Sequence, residues 1–365
     1  AQRMAAIAEA ANAGNVALLF VRGANPAYDT PKSVKFAEAL AKVPFKVSFS
    51  SYPDETSELC DLVLPGDHAL ESWGDAEAKP GVISLQQPVM ERIFDTRATA
   101  DVLLQLAQGD PAIAGRFAWK TYRDYLVSRF PGGAAAFTQA LATGMANGTL
   151  PQRDAAARPA LAPAAPAPIG GDGDYFLVVY PHAVLGTGAG ANKPWLQELP
   201  DPVSKVLWQS WIEIHPLTAR KLGVAAGDHV TVQTAAGSIT APAFPYLGIR
   251  QDTVGVALGQ GHTGYGRYAK DLGINALDAL GATWNGAGAL ALTQFKARVS
   301  KAGARSDLVT TEGSARQHGR GIAQAITVAD LVAHRLKEEQ RAFPGGANHE
   351  FLPGLRSPVA ADAQG

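Results

Sequence analysis

Imidazole, thiol and hydroxyl groups are the side chains here that could do chemistry, so their spacing comes first. His182, His215, His229 and His262 lie too far apart to make a metal-ligand spacing, and a lone histidine beside proline or glycine reads as a hydrogen-bonded loop residue. Cys60 is the single cysteine. One thiol excludes an intramolecular disulfide framework, a cysteine-based zinc site and a self-contained iron–sulfur cluster within these residues. Between Leu59 and Asp61, Cys60 reads as a small buried hydrophobe. There is no Gly-x-Ser-x-Gly elbow, no His-Glu-x-x-His pair and no phosphate-binding Gly-x-x-x-x-Gly-Lys-Ser/Thr, hence no nucleophile–base constellation. Gly186, Gly188 and Gly190 alternate, but no helical pattern with dinucleotide spacing follows them, which excludes a nicotinamide-binding reading. Asn25-Pro26 makes a good turn on chemistry alone, and Thr56 can satisfy an N–H at a helix start.

Whatever these residues do depends on the elements that carry them. At roughly 150 residues per domain, 365 residues make about two domains with a sizeable core. Hydrophobic residues make up 47% and the net charge is -1, which excludes a general electrostatic attraction to nucleic acid or acidic lipid. No apolar run approaches the ~20 residues that would cross a bilayer. Met4, Ile7 and Ala11 fall at helical spacing before any helix-start signal, so the expectation is a piece of a longer protein, with any export signal outside the sequence read.

Residues 1–150 read as an α/β domain. An extended run over 16–21, a helical face through Val34, Phe36, Ala37, Leu40 and Ala41, a second run over 43–50, an acidic helix start over 53–58 and a short buried strand over 61–65 predict a parallel sheet. From Thr96 to about Gly148 the apolar residues, with Trp119, Tyr122 and Leu126, fall at helical spacing and predict a helical cover. Residues 151–173 collapse to Ala, Pro and Gly, an extended linker. Over 174–300 the period shortens. Runs at 176–180, 230–234 and 238–241 are separated by glycine turns and predict a β-barrel, with one short helix after Pro216 that ends at Gly223. Residues 301–365 turn polar, with an amphipathic stretch over 328–336 and a Pro/Gly/Ala-rich end that reads as an extended arm.

The order of these motifs resembles a known family. Gly23-Ala24-Asn25-Pro26, Asp54-Glu55-Thr56-Ser57, Asp61-Leu62-Val63-Leu64-Pro65 and Leu70-Glu71-Ser72-Trp73-Gly74-Asp75 are similar to the third domain of molybdopterin-guanine-dinucleotide oxidoreductases. Trp211 through Pro216, Leu222-Gly223-Val224, Gly227 through Val232, and Gly273-Ile274-Asn275 resemble that family's C-terminal double-psi β-barrel. The implied fold is therefore α/β, a Rossmann-like parallel-sheet domain followed by a double-psi barrel. The run from Asn192 to Pro202, with Gln87-Pro88 and Asp95-Thr96-Arg97, is most similar to the large iron–sulfur subunit of alternative complex III, a polysulfide-reductase-like quinol:electron-acceptor oxidoreductase.

By that resemblance the two halves share a cleft that grips a pterin dinucleotide. The matching positions are Asn25, Ser50 and Thr56 in the first domain, His182, Gly186, Gly188 and Asn192 in the first barrel loop, and Gln260, His262 and Asn275 later. Catalytic relatives commonly carry an aspartate where Ser50 stands, and a hydroxyl is a weaker acceptor than a carboxylate. The resemblance thus implies a retained fold with no cofactor within this chain, no catalytic residue and no metal ligand. Iron–sulfur clusters are expected in a further C-terminal domain. The implied partners are haem-bearing and quinol-oxidising membrane subunits, on the outer, periplasmic face of the cytoplasmic membrane. The rival reading is a pair of dinucleotide-gripping domains of a catalytic bis-molybdopterin oxidoreductase acting on sulfur compounds.

Overall fold

The structure is a computed structural model, and it describes residues 2–147, 169–311 and 328–329. The linker expected over 151–173 lies outside the described residues up to 168, and the arm beyond 311 lies outside them apart from residues 328–329. The chain divides into two units, Ala1–Val309 and Thr310–Gly365, and everything below concerns the first.

The chain opens with α1 (Gln2–Asn12), then β1 (Leu18–Val21), α2 (Pro26–Asp29), α3 (Phe36–Leu40), β2 (Phe45–Ser48) and β3 (Leu62–Val63). The three strands pair in parallel in the order β1-β2-β3, as the α/β reading expects. One face of the sheet is closed by α1 and α3 through Ala8, Ala11, Phe36, Ala39, Leu40 and Val43. Leu18, Phe20, Phe45 and Leu62 on the other face stay exposed. Three local expectations are corrected. The helix expected through Val34 breaks at Lys35, whose φ of 52° is left-handed, leaving a 3₁₀ turn before the short α3. The acidic start at 53–58 yields only a 3₁₀ turn, Ser57–Leu59, because the chain must re-enter the sheet at Leu62; the Asp54 carboxylate accepts from Ser57 N at 2.6 Å. The strand at 61–65 is not buried, because β3 lies at the sheet edge with Leu62 and Val63 exposed.

A second small sheet, absent from the sequence reading, joins β4 (Gly74–Lys79), β5 (Val82–Gln86) and β6 (Met145–Asn147), all antiparallel. Its helical cover is α4 (Thr99–Gly109), α5 (Tyr122–Arg129) and α6 (Gly133–Thr143), with Leu126, Phe130, Phe137 and Ala140 as its core. Helix α5 starts on a capping box: Asp124 N donates to Thr121 Oγ1 at 3.2 Å, and Thr121 N donates back to Asp124 Oδ2 at 3.1 Å. Thr121→Ala is expected to cost about 1 kcal/mol. Thermal unfolding checks this, and an unchanged midpoint would show that α5 does not depend on its cap.

The remainder is a closed six-stranded barrel. It contains β7 (Tyr175–Tyr180), α7 (Pro194–Gln197), β8 (Ile212–Ile214), α8 (Pro216–Lys221), β9 (Asp228–Gln233), β10 (Ser238–Pro245), β11 (Thr253–Ala257) and β12 (Phe295–Arg305), with strand order β10-β8-β11-β7-β12-β9. β8 with β10 and β7 with β11 are parallel; the other pairs are antiparallel. Along β7 burial alternates strictly, so Tyr175, Leu177 and Val179 point inward to meet Ile212, Ile214, Val230, Val232, Val254 and Val256. Helix α8 ends before Gly223 as expected, and His215 caps its start through Nδ1, which accepts from Leu217 N at 3.1 Å. β12 carries the barrel past residue 300, to Arg305. No helix among the described residues is long and apolar enough to cross a membrane.

Candidate functional site

A cleft of about 1140 Å³ opens where the C-terminal ends of β1 and β2 face the barrel loops. Val21, Asn25, Phe49 and Ser50 line one side, and Thr187, Ala189, His262 and Tyr265 the other. It is the place a parallel sheet offers for a ligand. Its carboxylates are Asp29, Asp54, Asp67 and Asp75, and its one guanidinium is Arg22.

At the base of the cleft the two halves are tied together by a residue the sequence reading did not single out, Glu55. Its Oε1 accepts from Thr263 N at 2.7 Å, from Gly264 N at 3.1 Å and lies 3.1 Å from His262 Nδ1, while Oε2 accepts from Asn25 Nδ2 at 2.6 Å. Burial alone would push this carboxyl up, but the hydrogen bonds from His262, Asn25 and the backbone hold it down at about 2. His262, 2% exposed, stacks on Tyr28 with ring centroids 3.6 Å apart and 14° between planes, and on Tyr265 at 4.8 Å. Its Nε2 donates to the Gly188 carbonyl at 3.2 Å, so Nδ1 makes an ion pair with Glu55 when that nitrogen also carries hydrogen. Tyr28 donates its hydroxyl to the Gln260 carbonyl at 2.8 Å and accepts at its own carbonyl from Asn275 Nδ2 at 3.0 Å. Burial pushes the Tyr28 phenol well above its ordinary value, so it serves here as a neutral donor.

The other expected positions are engaged in the same way. Asn25 Oδ1 accepts from both Thr56 N and Thr56 Oγ1, and Thr56 Oγ1 accepts from Ala27 N at the start of α2. Gln260 pairs its amide with that of Gln197, at 2.7 Å and 3.3 Å. Asn192 Oδ1 accepts from Tyr268 N, and Asn275 caps a 3₁₀ turn by accepting from Leu277 N. Ser50 lines the cleft, yet its hydroxyl donates to the Tyr52 carbonyl at 2.7 Å. Of the expected positions only Asn25, Ser50 and His262 line the cleft; Thr56, Gly188, Asn192, Gln260 and Asn275 do not, and neither do His182 and Gly186. His182 and Gly186 close a tight hairpin with mutual backbone hydrogen bonds, and His182 Nδ1 accepts from Val184 N and Leu185 N. Cys60 is half-buried and donates to the Thr56 carbonyl. Among the described residues no group of three His, Cys, Asp or Glu is placed to hold a metal ion.

Residues 194–286 match the Molydopterin dinucleotide binding domain. The chain is 30% identical over 295 residues to the menaquinone reductase, molybdopterin-binding-like subunit of Nitratidesulfovibrio vulgaris, an alignment that covers 74% of this chain and 41% of that protein. The chain belongs to the molybdopterin oxidoreductase superfamily. It matches the superfamily's C-terminal portion and spans less than half the length of the relatives it resembles. The NADPH-Fe(3+) oxidoreductase subunit alpha of Geobacter sulfurreducens is 25% identical over 233 residues, 64% of this chain and 26% of that protein. Acetylene hydratase from Pelobacter acetylenicus shares the fold with a TM-score of 0.63 at 16% identity, over 82% of this chain and 46% of that one.

Superfamily membership makes a pterin dinucleotide the group this cleft would be matched to, and several of the expected positions are bonded within the protein. Among the described residues every fully buried side-chain nitrogen or oxygen has a protein partner. Gly188, where the superfamily's chemistry would ask for a close backbone approach, has φ +124°, and a Cβ there would meet His262 Nε2 and Tyr28 Cε1 at 2.8 Å. That approach is already taken by the protein's own rings. Of the four aspartates in the lining, Asp67 is paired by Arg92 and Asp75 lies 3.8 Å from Arg129, which leaves Asp29 and Asp54 beside Arg22.

Proposed function

We propose that this chain is a non-catalytic structural portion of the iron–sulfur subunit of a membrane-associated, quinol-oxidising electron-transfer complex of the alternative complex III kind, with its barrel of the double-psi type. The observation that carries the reading is the junction in which His262 and Asn275 of the barrel hydrogen-bond Glu55 and Tyr28 of the α/β part, while Asn25, Thr56 and Gln260 bond neighbouring groups of their own halves. The relative from Nitratidesulfovibrio vulgaris, named as molybdopterin-binding-like and as a subunit, supports it. Haem-bearing and quinol-oxidising membrane subunits are the partners this reading assigns, on the periplasmic face of the membrane.

The surface suits such a role. Leu70, Val89, Ile93 and Phe94 are large, apolar and exposed. Their loop is held firmly by the Arg92 guanidinium on the Asp67 carboxylate and by Glu71, which accepts from Ile93 N. Fixed apolar groups rimmed by charges of both signs suit a protein partner, where burial of complementary surface fixes separation without net attraction.

Elemental analysis of the full-length subunit purified in its complex tests the proposal. Iron without molybdenum or tungsten is expected. Stoichiometric molybdenum or tungsten would overturn it in favour of the dinucleotide-gripping part of a catalytic oxidoreductase.

A further inference from the structure

We infer that His262 is an intramolecular plug, whose imidazole fills the slot between the α/β part and the barrel in which a planar ligand ring would otherwise be held. This rests on the scaffold reading and says what joins the halves in place of a cofactor.

Four observations converge on it. The ring lies between two aromatic faces, Tyr28 at 3.6 Å and Tyr265 at 4.8 Å, the arrangement by which proteins hold a heterocyclic base. Both ring edges are engaged, one by the Glu55 carboxylate and the other by the Gly188 carbonyl, as the edges of a recognised base would be. The contacts cross between the halves: Tyr28 and Glu55 come from the α/β part, His262, Tyr265 and Gly188 from the barrel. Glu55 in particular takes Asn25 from its own side and His262, Thr263 and Gly264 from the other. Lastly, Gly188 is shaped to the plug, since the position of its missing Cβ is occupied by His262 and Tyr28. A histidine serving only as filler in one half's core would need none of these cross-cleft partners.

The plug ties the two halves together at one wall of the cleft, without a ligand to join them. Hydrogen exchange on the full-length subunit in its complex, followed by mass spectrometry, tests this with two variants. Glu55→Gln keeps the volume and one acceptor oxygen but removes the charge. Exchange over residues 53–58 and 259–266 is expected to rise about tenfold or more, while the β7 and β11 strands exchange as in the wild type. His262→Gly is expected to expose the same two segments, and free imidazole, which can re-enter the vacated slot, should restore their protection. Unchanged exchange in Glu55→Gln overturns the plug, and that variant decides by itself. A folded His262→Gly protein whose segments stay exposed in imidazole also overturns it. Stoichiometric molybdenum in the wild-type subunit would defeat the scaffold reading whichever way the exchange result falls, so the two failures are distinguishable.

Discussion

Gly261→Ala should be the most damaging single-atom-group change in the cleft, costing upwards of about 4 kcal/mol and threatening soluble expression. The residue has φ +83°, and a Cβ built on it would lie 2.0 Å from Asn275 N and 2.2 Å from the Ile274 carbonyl carbon. Both are backbone atoms, so no side chain can swing aside. Relief requires moving the 260s loop off the segment that carries Asn275, and with it the Gly261 N–H bond to Leu272 O at 2.7 Å. Gly186→Ala is the control. Its φ of +62° is strained for alanine, but nothing lies within 4 Å, so the cost should stay near the roughly 1–2 kcal/mol of a left-handed alanine. Urea denaturation of the two variants separates the cases. Equal midpoints would mean that the tight approach at Gly261 does not bear on stability.

Glu55→Ala should cost on the order of 3–5 kcal/mol, because it strips the acceptor from donors on four residues at once, all but Thr263 buried or half-buried. Those are Asn25 Nδ2, His262 Nδ1, Thr263 N and Gly264 N. The wild type carries a matching pH signature. Glu55 is held at about 2, below its ordinary carboxyl value of 4.5. A lowered folded-state value contributes stability that is present above the unfolded value and is lost as pH falls from about 4.5 toward 2. After discounting for its partial access to solvent, that contribution is on the order of 2 kcal/mol. The charged and titratable groups coupled to it are His262, Tyr28, Tyr265 and Asp29. Asp29 works in the opposite sense, since burial raises its carboxyl and so favours the folded state as pH falls. Denaturation midpoints between pH 7 and pH 3 should fall less steeply in Glu55→Ala than in the wild type. The slope that remains belongs in part to Asp228, which Lys301 holds down at about 2. Parallel acid limbs in the two proteins would sink the assignment.

Much of the barrel was written in local pattern. The aromatic and β-branched run over 176–180, proline at the start of α8 and glycine after its end are short-range signals, and each element formed where its residues asked for it. The α/β part was legible in order but not in extent. The helix through Val34 and the one expected over 53–58 shrank to about a turn each, because the left-handed Lys35 and the early return to Leu62 outweighed helical spacing, whereas α1 formed in full. The β4–β5–β6 sheet escaped notice because Gly74–Lys79 is polar and mostly exposed, and β6 joins it from about sixty residues away, so no apolar period marks either.

The candidate site divides along the same line. Sequence by itself offered, through the resemblance, a set of polar positions for a cleft; of these Asn25, Ser50 and His262 line it, while Thr56, Gln260 and Asn275 bond beside it. What they do there was decided only by tertiary structure. Glu55 and His262 are 207 positions apart, Tyr28 and Gln260 are 232 apart, and no spacing rule relates residues at such separations. Glu55 read as one more acid in a helix start until the fold laid the barrel loop across it. Residue types record which groups can donate and accept; whether their partner is a ligand or another part of the same chain depends on which surfaces folding presses together, and here it presses them onto each other.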